Sequence, residues 1–318
     1  MIEKNLLEIE KKYELREFPL NVAIEVTSFC NLNCIMCAND KLQRKKGTMN
    51  IVLYKKIIDE IAAHNVNTRI WLDFYGEPLV TRFKLYYMID YAKKKGLTNI
   101  SMNSNGTLLD EEMSEMLLDS GIDFISFDCD GYTKETFEKI RVNSDRDIFY
   151  RNVTRFIALR AQRGLKKPVI EVQAIEMPEN ENEVADIVAY WRNLGVRTSV
   201  RGLFSWAGSM DGQRLKKTER IACGFAIGHC AVIWNGDVVA CGLDCHGLAR
   251  FGNLNDSSIY EIWNGARKKF MEDHLNHNFA ALPEVCRSCT DWAHVGDAHY
   301  DETGTEYIKN YDFDKRMV

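Results

Sequence analysis

Three cysteines stand close together near the start of the chain, at positions 30, 34 and 37. They follow an apolar run, Val22 to Val26, that predicts a first strand, so they fall in the loop after it. Three neighbouring thiolates could hold three irons of a cubane iron–sulfur cluster, because cysteine sulfur normally holds such clusters. The fourth iron would then lack a protein ligand and could bind a substrate. Zinc is the competing metal, but a structural zinc site needs four ligands, and no nearby His or Cys completes this one.

Six further cysteines lie between residues 223 and 289. Cys286 and Cys289 form a Cys-x2-Cys pair, which is a common chelating arrangement. A Gly- and Ser-rich segment from Phe204 to Gly212 precedes this region, and Asn235-Gly236 predicts the turn of a short hairpin. The sequence therefore predicts a second metal or cluster site in the C-terminal part of the chain.

The elements that must position these cysteines alternate in type. Short apolar runs alternate with amphipathic helical patterns over residues 20–202, in about six β-then-α units, which predicts parallel strands joined by crossover helices. The predicted fold class is α/β: a partial (β/α)6 TIM-like barrel followed by a small cysteine-rich domain. The predicted parts are an N-terminal extension (1–19), the barrel (20–204), the cysteine-rich domain (205–299) and a polar tail (300–318).

Composition excludes several classes of protein. The 318 residues are 46% hydrophobic and 27% charged, with a net charge of -5, so we expect a globular protein without nucleic-acid or membrane partners. The first 18 residues contain no apolar signal-peptide core, which predicts a cytoplasmic location. In that reducing compartment the ten cysteines are expected to be metal ligands, reactive thiols or buried side chains rather than disulfides.

With the cysteine triplet, four further segments in barrel order resemble the radical S-adenosylmethionine superfamily. Gly76-Glu77-Pro78 follows the second predicted strand, and Asn103-Ser104-Asn105-Gly106 ends the third. Asp130-Gly131 follows the fourth, with Arg141 eleven positions after Asp130, and Gln173 lies on the fifth. Two residues depart from the family pattern, which has a glycine where Tyr75 stands and an aromatic residue where Met36 stands.

The resemblance implies a cluster ligated by the triplet, with S-adenosylmethionine on the open iron. It also implies the residues that bind this cofactor: Met36, Gly76, Glu77, Pro78, Asn103, Ser104, Asn105, Arg141 and Gln173. Strand alternation places Asp128 and Asp130 on one face, which we expect to point into the barrel mouth as candidate catalytic groups. Arg201 and Trp206 at the domain junction could form part of a substrate site.

The downstream cysteines resemble the Twitch domain, a shortened relative of the SPASM domain. This resemblance implies one auxiliary [4Fe–4S] cluster; a zinc ribbon on the same four thiolates is the alternative. Its implied ligands are Cys223, Cys241, Cys286 and Cys289. Cys230 and Cys245 remain, each as a replacement ligand, a hydrogen donor to a substrate radical, or an inert thiol.

These resemblances imply an enzyme that generates a 5′-deoxyadenosyl radical and abstracts hydrogen from a polar small molecule such as a sugar or aminocyclitol. The expected outcome is oxidation, with the auxiliary cluster accepting an electron, as in the aminocyclitol dehydrogenases of the superfamily. A peptide maturase or an epimerase that uses Cys245 is the alternative, and a non-catalytic iron–sulfur or zinc scaffold is a third. The expected reductant is a flavodoxin or ferredoxin.

Overall fold

A computed structural model describes residues 10–210, 220–294, 298–300 and 306–308 of the chain. Half of the predicted N-terminal extension and most of the predicted tail lie outside the described residues. In the described part, no helix combines the length and the apolar character needed to cross a membrane. All ten cysteines lie in the described part, and none of them forms a disulfide.

Six parallel strands form the main sheet, in the sequential order expected for a partial barrel. Each of the predicted strands is present, with ends shifted by at most three residues. The strands are β1 (Asn21–Ile24), β2 (Arg69–Trp71), β3 (Ile100–Ser104), β4 (Phe124–Asp128), β5 (Val169–Ile175) and β6 (Arg197–Arg201).

Helices connect these strands and cover one face of the sheet. They are α1 (Ile51–His64), α2 (Phe83–Lys94), α3 (Glu111–Ser120), α4 (Lys134–Ile140), α5 (Arg146–Gln162) and α6 (Val184–Asn193). Local signals set their ends: Asp110 caps the first turn of α3, and Gly121 ends it in the left-handed conformation. Apolar side chains at helical spacing, such as Leu53, Ile57 and Ile61 of α1, are buried in the core.

The C-terminal part continues the same sheet. Strand β7 (His229–Val232) pairs in parallel with β1, and β8 (Asp237–Val239) and β9 (Arg250–Asn253) follow it antiparallel, so that one nine-stranded sheet spans the described residues. Asn235 and Gly236 make the predicted turn between β7 and β8, where Gly236 has a φ of 96°. The sequence did not predict the β1–β7 pairing, because no local pattern specifies which strand edge a later hairpin joins.

Four short helices and a second small sheet complete the described residues. The helices are α7 (Gly224–Gly228), α8 (Ile259–Asn264), α9 (Ala266–Leu275) and α10 (Glu284–Ser288). A capping box begins α8, in which Ser258 and Glu261 each accept a backbone N–H of the other. Strands β10 (Ala298–Tyr300) and β11 (Glu306–Ile308) pair antiparallel with each other. The domain boundary near residue 205 remains a prediction.

Candidate functional site

The cysteine triplet lies in the loop that leaves the carboxyl end of β1. Its three side chains are half-buried, and the Cys37 N–H donates to the Cys34 carbonyl oxygen over 3.0 Å. Burial raises the pKa of Cys34 to about 12 and that of Cys37 to about 11, because an ionised thiolate loses its solvation there. Thiolates that are buried in this way need a cation nearby to compensate their negative charge. Iron supplies the positive charge when a cluster binds.

Gly76 lets the loop after β2 rest directly on the triplet loop. A Cβ at this position would lie 2.1 Å from the carbonyl oxygen of Thr27, so only glycine fits. The next residue continues the contact, since the Glu77 N–H donates to the Phe29 carbonyl oxygen over 2.9 Å. The backbone of the Gly-Glu-Pro segment is therefore held against the residues that precede Cys30.

Glu77 joins the β2 loop to the end of β3. Its buried carboxylate accepts hydrogen bonds from the Leu79 N–H (2.9 Å), the Ser104 hydroxyl (2.9 Å) and the Asn105 N–H (2.7 Å). Burial raises the pKa of Glu77 to about 7, although the hydrogen bonds from these three donors lower it. The Asn105 Nδ2 in turn donates to Asn31 Oδ1 in the triplet loop over 3.0 Å. The geometry assigns Glu77 and Asn105 to positioning the loops around the triplet.

Asp128 and Gln173 face each other across β4 and β5. Gln173 Nε2 donates to Asp128 Oδ1, and Arg141 lies 3.7 Å from Asp128 Oδ2. Burial raises the pKa of Asp128, and Arg141 opposes that shift. The same guanidinium lies 3.9 Å from Cys34 Sγ, so it places a positive charge beside the triplet. The sequence suggested these residues separately, and the structure brings them together.

One cavity of about 710 Å³ collects most of the sequence-predicted residues. We call it the triplet cavity. Of the eleven candidates for binding the cofactor or for catalysis in the barrel, nine line it: Met36, Gly76, Glu77, Asn103, Ser104, Asn105, Asp128, Arg141 and Gln173. The three triplet cysteines line it too, with Asp73, Phe74, Tyr75, Ile175, Arg201 and Trp206.

Three predicted residues do not line this cavity. Asp130 was expected to face the barrel mouth, but β4 ends at Asp128 and the alternation stops there. The Asp130 carboxylate is instead buried, where it accepts the Ile175 N–H over 2.7 Å and pairs with Arg141 over 2.5 Å. Pro78 is buried at the start of a 3-10 turn.

Cys245, the candidate hydrogen donor, is also away from the triplet cavity. It is 1% exposed, its Sγ lies 3.4 Å from the Ser209 hydroxyl, and it packs against Ala38 and Tyr75. Tyr75, which Cys245 contacts, is buried and lines the triplet cavity, whereas Cys245 does not line it. The structure therefore does not bring this thiol to the place where a substrate radical would form.

The four cysteines assigned to the second site converge on another cavity. Cys223, Cys241, Cys286 and Cys289 all line a space of about 410 Å³, the four-cysteine cavity. Cys223 precedes α7, Cys241 follows β8, and Cys286 and Cys289 lie on and just after α10. Burial raises the pKa of all four thiols, and neighbouring thiols add to that effect at Cys241, Cys286 and Cys289. Among the described residues, no three His, Cys, Asp or Glu side chains gather as they would around one metal ion.

The walls of this cavity are held by two buried charged residues. Arg267 on α9 is fully buried and donates to the carbonyl oxygens of Val239 (2.8 Å), Ala240 (3.0 Å) and Ala226 (2.9 Å). Asp291 is fully buried and accepts the backbone N–H groups of Ser205 and Ala207, each over 2.8 Å. These bonds tie the segments that carry the four cysteines to each other and to the chain just after β6.

The remaining cysteines are packed in the interior. Cys230 lies on β7 and is 1% exposed, and it belongs to the main hydrophobic core. Cys129 is fully buried, with its Sγ 3.5 Å from the Tyr150 hydroxyl. Neither lines the triplet cavity or the four-cysteine cavity. Core packing accounts for both positions.

A third cavity, the middle cavity, has lining residues in common with both cysteine cavities. It shares Asp73, Phe74, Asn103, Arg201 and Trp206 with the triplet cavity, and it shares Leu243 with the four-cysteine cavity. Arg201 and Trp206 thus lie where the sequence suggested a substrate site. The other lining residues are Ala23, Trp71, Phe204, Phe225, His229 and Gly242.

Sequence reasoning missed Asp73 and His229. Asp73 lies two residues beyond the carboxyl end of β2, and burial raises its pKa to about 7. His229 begins β7, and burial lowers its pKa to about 3, so the imidazole is uncharged at neutral pH. A signal for Asp73 was present, because polar residues at the carboxyl ends of barrel strands commonly serve the active site. No comparable signal marked His229.

Comparisons with known proteins agree with this geometry. The family model "Radical SAM superfamily" matches residues 24–190, and the model "SPASM, iron-sulfur cluster-binding domain" matches residues 223–290. A tungsten-containing aldehyde ferredoxin oxidoreductase cofactor-modifying protein from Pyrococcus furiosus is 26% identical, with 92% of this chain and 90% of that protein aligned.

A second relative is the S-adenosyl-L-methionine-dependent 2-deoxy-scyllo-inosamine dehydrogenase of Niallia circulans. It is 21% identical, with 88% of this chain and 96% of the relative aligned. The crystal structure of BtrN in complex with AdoMet and 2-DOIA matches with a TM-score of 0.61 and 18% identity, over 87% of this chain and 94% of that one.

The fold also extends to a structure solved with a peptide. Streptococcus suis SuiB bound to the precursor peptide SuiA matches with a TM-score of 0.65 and 14% identity, over 96% of this chain and 78% of that one. The two family matches imply a [4Fe–4S] cluster with S-adenosylmethionine and an auxiliary cluster, which is what the two cysteine sites are built to hold. The chain is a member of the radical SAM superfamily, with a C-terminal SPASM iron–sulfur domain.

Proposed function

We propose that this enzyme oxidises a carbinol of a small polar molecule, with the auxiliary cluster as acceptor of the second electron. The observation that carries the proposal is the overlap of three cavities, because the middle cavity shares five lining residues with the triplet cavity and Leu243 with the four-cysteine cavity. A substrate in the middle cavity would meet the radical on one side and an electron acceptor on the other. The 2-deoxy-scyllo-inosamine dehydrogenase relative supports oxidation as the outcome.

The residues of the triplet cavity would hold the cofactors. Cys30, Cys34 and Cys37 would ligate three irons, and the Gly76 backbone and the polar groups on β3 and β5 would bind S-adenosylmethionine. When bound there, the reduced cluster and S-adenosylmethionine supply a 5′-deoxyadenosyl radical. The role of the protein is to orient the substrate and to exclude water from the radical.

The lining of the middle cavity favours a small polar molecule over a peptide. Five aromatic residues line it, with Asp73, Asn103, Arg201 and His229 as the polar groups. This mixture suits a polar ring whose hydroxyl or amino groups bond to a few fixed side chains. Peptide modification is the second candidate, favoured by the likeness to SuiB bound to its precursor peptide.

Epimerisation is less well supported, because it needs a thiol that delivers hydrogen to the substrate radical. Cys245 is buried beside Ser209, and Cys230 lies in the core under β7. Neither lines the middle cavity. Oxidation needs no such thiol. A flavodoxin or ferredoxin in the cytoplasm is the proposed reductant for the triplet cluster.

The test is turnover by the full chain after anaerobic reconstitution with iron and sulfide. With reduced flavodoxin, S-adenosylmethionine and 2-deoxy-scyllo-inosamine or related polyols, we expect 5′-deoxyadenosine and a product lighter by two hydrogens. The Cys30→Ala/Cys34→Ala/Cys37→Ala variant should form neither, while Cys230→Ala serves as the matched cysteine control. The Cys223→Ala/Cys241→Ala variant should form 5′-deoxyadenosine but little oxidised product.

Mass spectrometry in deuterated water separates the alternatives. A product of unchanged mass apart from one deuterium would indicate epimerisation and contradict the proposal. Oxidised product at the wild-type rate from the Cys223→Ala/Cys241→Ala variant would exclude the auxiliary cluster as electron acceptor. No 5′-deoxyadenosine from the reconstituted wild type would favour a non-catalytic scaffold.

A further inference from the structure

Two buried oxygen atoms in the middle cavity accept no hydrogen bond. Within the described part of the chain, Asp73 Oδ1 and Asn103 Oδ1 are both shielded from solvent and have no partner. The other atoms of the pair are engaged, since Asn103 Nδ2 donates to Asp73 Oδ2 over 2.9 Å. A carboxylate only accepts, so this bond fixes which end of the Asn103 amide is the oxygen. Asp73 and Asn103 therefore each keep one side-chain oxygen atom that accepts no hydrogen bond.

A ligand with suitable donors would gain from this arrangement. A buried acceptor left without a donor is unfavourable, and a bound hydroxyl or ammonium group would remove that cost. Both residues also line the triplet cavity, so a group bonded to them lies where the middle cavity meets the triplet cavity. Aromatic side chains, including Trp71 and Trp206, form much of the remaining wall.

The charges around Asp73 set its proton affinity near neutrality. Burial raises its pKa to about 7, Asp128 and Glu77 add to the rise, and the hydrogen bonds from Asn103 oppose it. Arg201 and His229 also line the cavity, and the imidazole of His229 is uncharged at neutral pH. A carboxyl with a pKa near the working pH is well suited to accept a proton and release it again.

We propose that Asp73 binds the reacting hydroxyl of the substrate and takes its proton during oxidation. The Asn103 Oδ1 accepts a second donor, on the neighbouring carbon of the substrate. The substrate class is therefore a small cyclic polyol or amino-polyol with adjacent hydroxyl or amino groups. This inference rests on the proposed function, and it adds the base and the binding group, which nothing in the sequence motifs assigns.

The step balances in atoms and electrons. With the cofactors bound, the carbinol carbon would lose a hydrogen atom to the adenosyl radical that S-adenosylmethionine supplies. Its hydroxyl would lose a proton to the Asp73 carboxylate, and the oxidised auxiliary cluster would accept one electron. The C–H and O–H bonds break, the second bond of a C=O group forms, and 5′-deoxyadenosine gains the new C–H bond. Two electrons leave the alcohol in total.

The first experiment compares reconstituted wild type with the Asp73→Asn variant, using 2-deoxy-scyllo-inosamine as the probe. General-base catalysis contributes roughly 10²- to 10⁴-fold, so we expect ketone formation by the variant to fall at least 100-fold. The wild-type rate should rise with pH up to about 7 and then level, because Asp73 must be ionised, and the variant should lose this dependence. Asp119→Asn, an exposed position on α3, is the matched control.

The second variant, Asn103→Ala, tests the pair without removing the base. It deletes the side-chain hydrogen bond that lowers the pKa of Asp73, so the midpoint of the pH profile should move upward. An unchanged midpoint would overturn the pairing of these residues. Ketone formation by Asp73→Asn within threefold of wild type, with the same pH profile, would overturn Asp73 as the base while leaving the proposed oxidation standing.

Binding is measured separately, by quenching of tryptophan fluorescence, because Trp71 and Trp206 line the cavity. With 2-deoxy-scyllo-inosamine, we expect saturable quenching in the wild type and at least tenfold weaker binding in Asp73→Asn. Equal binding by both proteins would overturn the binding role. If neither this probe nor myo-inositol bound or gave a ketone, the substrate class would be overturned. If a bound probe gave 5′-deoxyadenosine but no ketone, the oxidation itself would be overturned.

Discussion

Gly76 and Glu77 show how single residues shape the triplet cavity. Gly76 allows two loop backbones to touch, and Glu77 then fastens the same loop to the end of β3 through two hydrogen bonds, from the Ser104 hydroxyl and the Asn105 N–H. Neither role needs the side chain to touch the cofactor. The two residues hold in place the backbone that would surround S-adenosylmethionine.

Replacement of Gly76 by alanine tests the backbone contact. The added Cβ would lie 2.1 Å from the Thr27 carbonyl oxygen, so the two loops must separate. We expect Gly76→Ala to lower the free energy of unfolding by about 1–3 kcal/mol, as for other overpacked sites, and to weaken S-adenosylmethionine binding. Urea denaturation and equilibrium dialysis measure the two effects.

The matched control is Gly228→Ala, where a Cβ would meet no atom within 4 Å. This substitution should change the free energy of unfolding by less than about 0.5 kcal/mol. Equal stability of the Gly76 and Gly228 variants would contradict the close contact at Gly76.

Glu77 should make stability depend on pH. Its pKa is about 7 in the folded protein and 4.5 for an ordinary glutamate, so the folded state holds a proton that the unfolded state releases between these values. The free energy of unfolding should therefore fall as the pH rises from about 4.5 to 7, because the stability gained from binding this proton is lost over that range. Glu77→Gln should flatten this fall, in urea titrations at pH 5, 6 and 7.5.

The control for this prediction is Glu112→Gln, whose side chain is 74% exposed and should leave the pH dependence unchanged. Glu77→Gln should also be less stable than the wild type at every pH. The NH2 group of glutamine cannot accept a hydrogen bond, so one of the three donors would lose its acceptor, which lowers the free energy of unfolding by about 1–3 kcal/mol. A wild-type pH slope in Glu77→Gln would show that Glu77 is ionised throughout this range.

At the scale of elements, helix α9 connects the four-cysteine cavity to the sheet. Arg267 on α9 donates to carbonyl oxygens at the end of β8 and on α7, next to segments that carry Cys241 and Cys223. Its guanidinium also lies over the rings of Trp263 and Phe270. This arrangement buries a positive charge that interacts with the Cys223, Cys241 and Cys286 thiols.

Arg267 should stabilise the reduced auxiliary cluster, which carries one more negative charge than the oxidised form. Removal of the charge in Arg267→Met should lower the midpoint potential of this cluster, on the order of tens of millivolts, as seen by EPR-monitored redox titration. Arg267→Lys keeps the charge and should restore most of the potential. The triplet cluster in the same sample is the internal reference.

Equal potentials in Arg267→Met and Arg267→Lys would contradict an electrostatic role. A loss of stability in both variants is expected in any case, because Lys has no planar fork to reach the same carbonyl oxygens. Iron analysis of each variant shows whether the auxiliary cluster is present before its potential is compared.

At the scale of the whole molecule, the two cysteine sites belong to one sheet. Strand β7 pairs in parallel with β1, and the buried Glu25–Arg44 ion pair lies at the end of β1. Arg44 Nε donates to the Cys245 carbonyl oxygen over 2.8 Å, and Glu25 Oε2 accepts the Trp234 N–H over 3.2 Å. The ion pair therefore bonds to both parts of the chain.

Glu25→Gln should destabilise both parts together. Removing one partner of a buried ion pair costs about 3–5 kcal/mol, because the other charge remains without compensation. We expect tryptophan fluorescence and iron–sulfur absorbance to be lost in one transition in urea, at a lower midpoint than in the wild type. Asp119→Asn breaks an exposed pair with Arg163 and should cost less than about 1 kcal/mol. Separate transitions for the two signals would contradict this coupling.

Short-range sequence patterns were enough to identify the superfamily and the order of strands and helices, and the resemblance predicted both sets of cysteine ligands. These features depend on short spacings, such as the loop from Cys30 to Cys37, or on periodic patterns within one element. Glycine and acidic residues at strand ends were also readable, because each motif directly follows its strand. Most of the cofactor-binding residues predicted in this way line one cavity.

The residues that line the middle cavity became known from the folded chain alone. The middle cavity joins Asp73, Asn103, Arg201 and His229, which come from four separate strands or strand ends. The β1–β7 pairing brings His229 there, and no local pattern specifies that pairing. The structure also showed that Asp130 and Cys245 are buried away from the cavity. Contacts between residues far apart in the chain depend on how complete elements pack, so spacing along the sequence does not predict them.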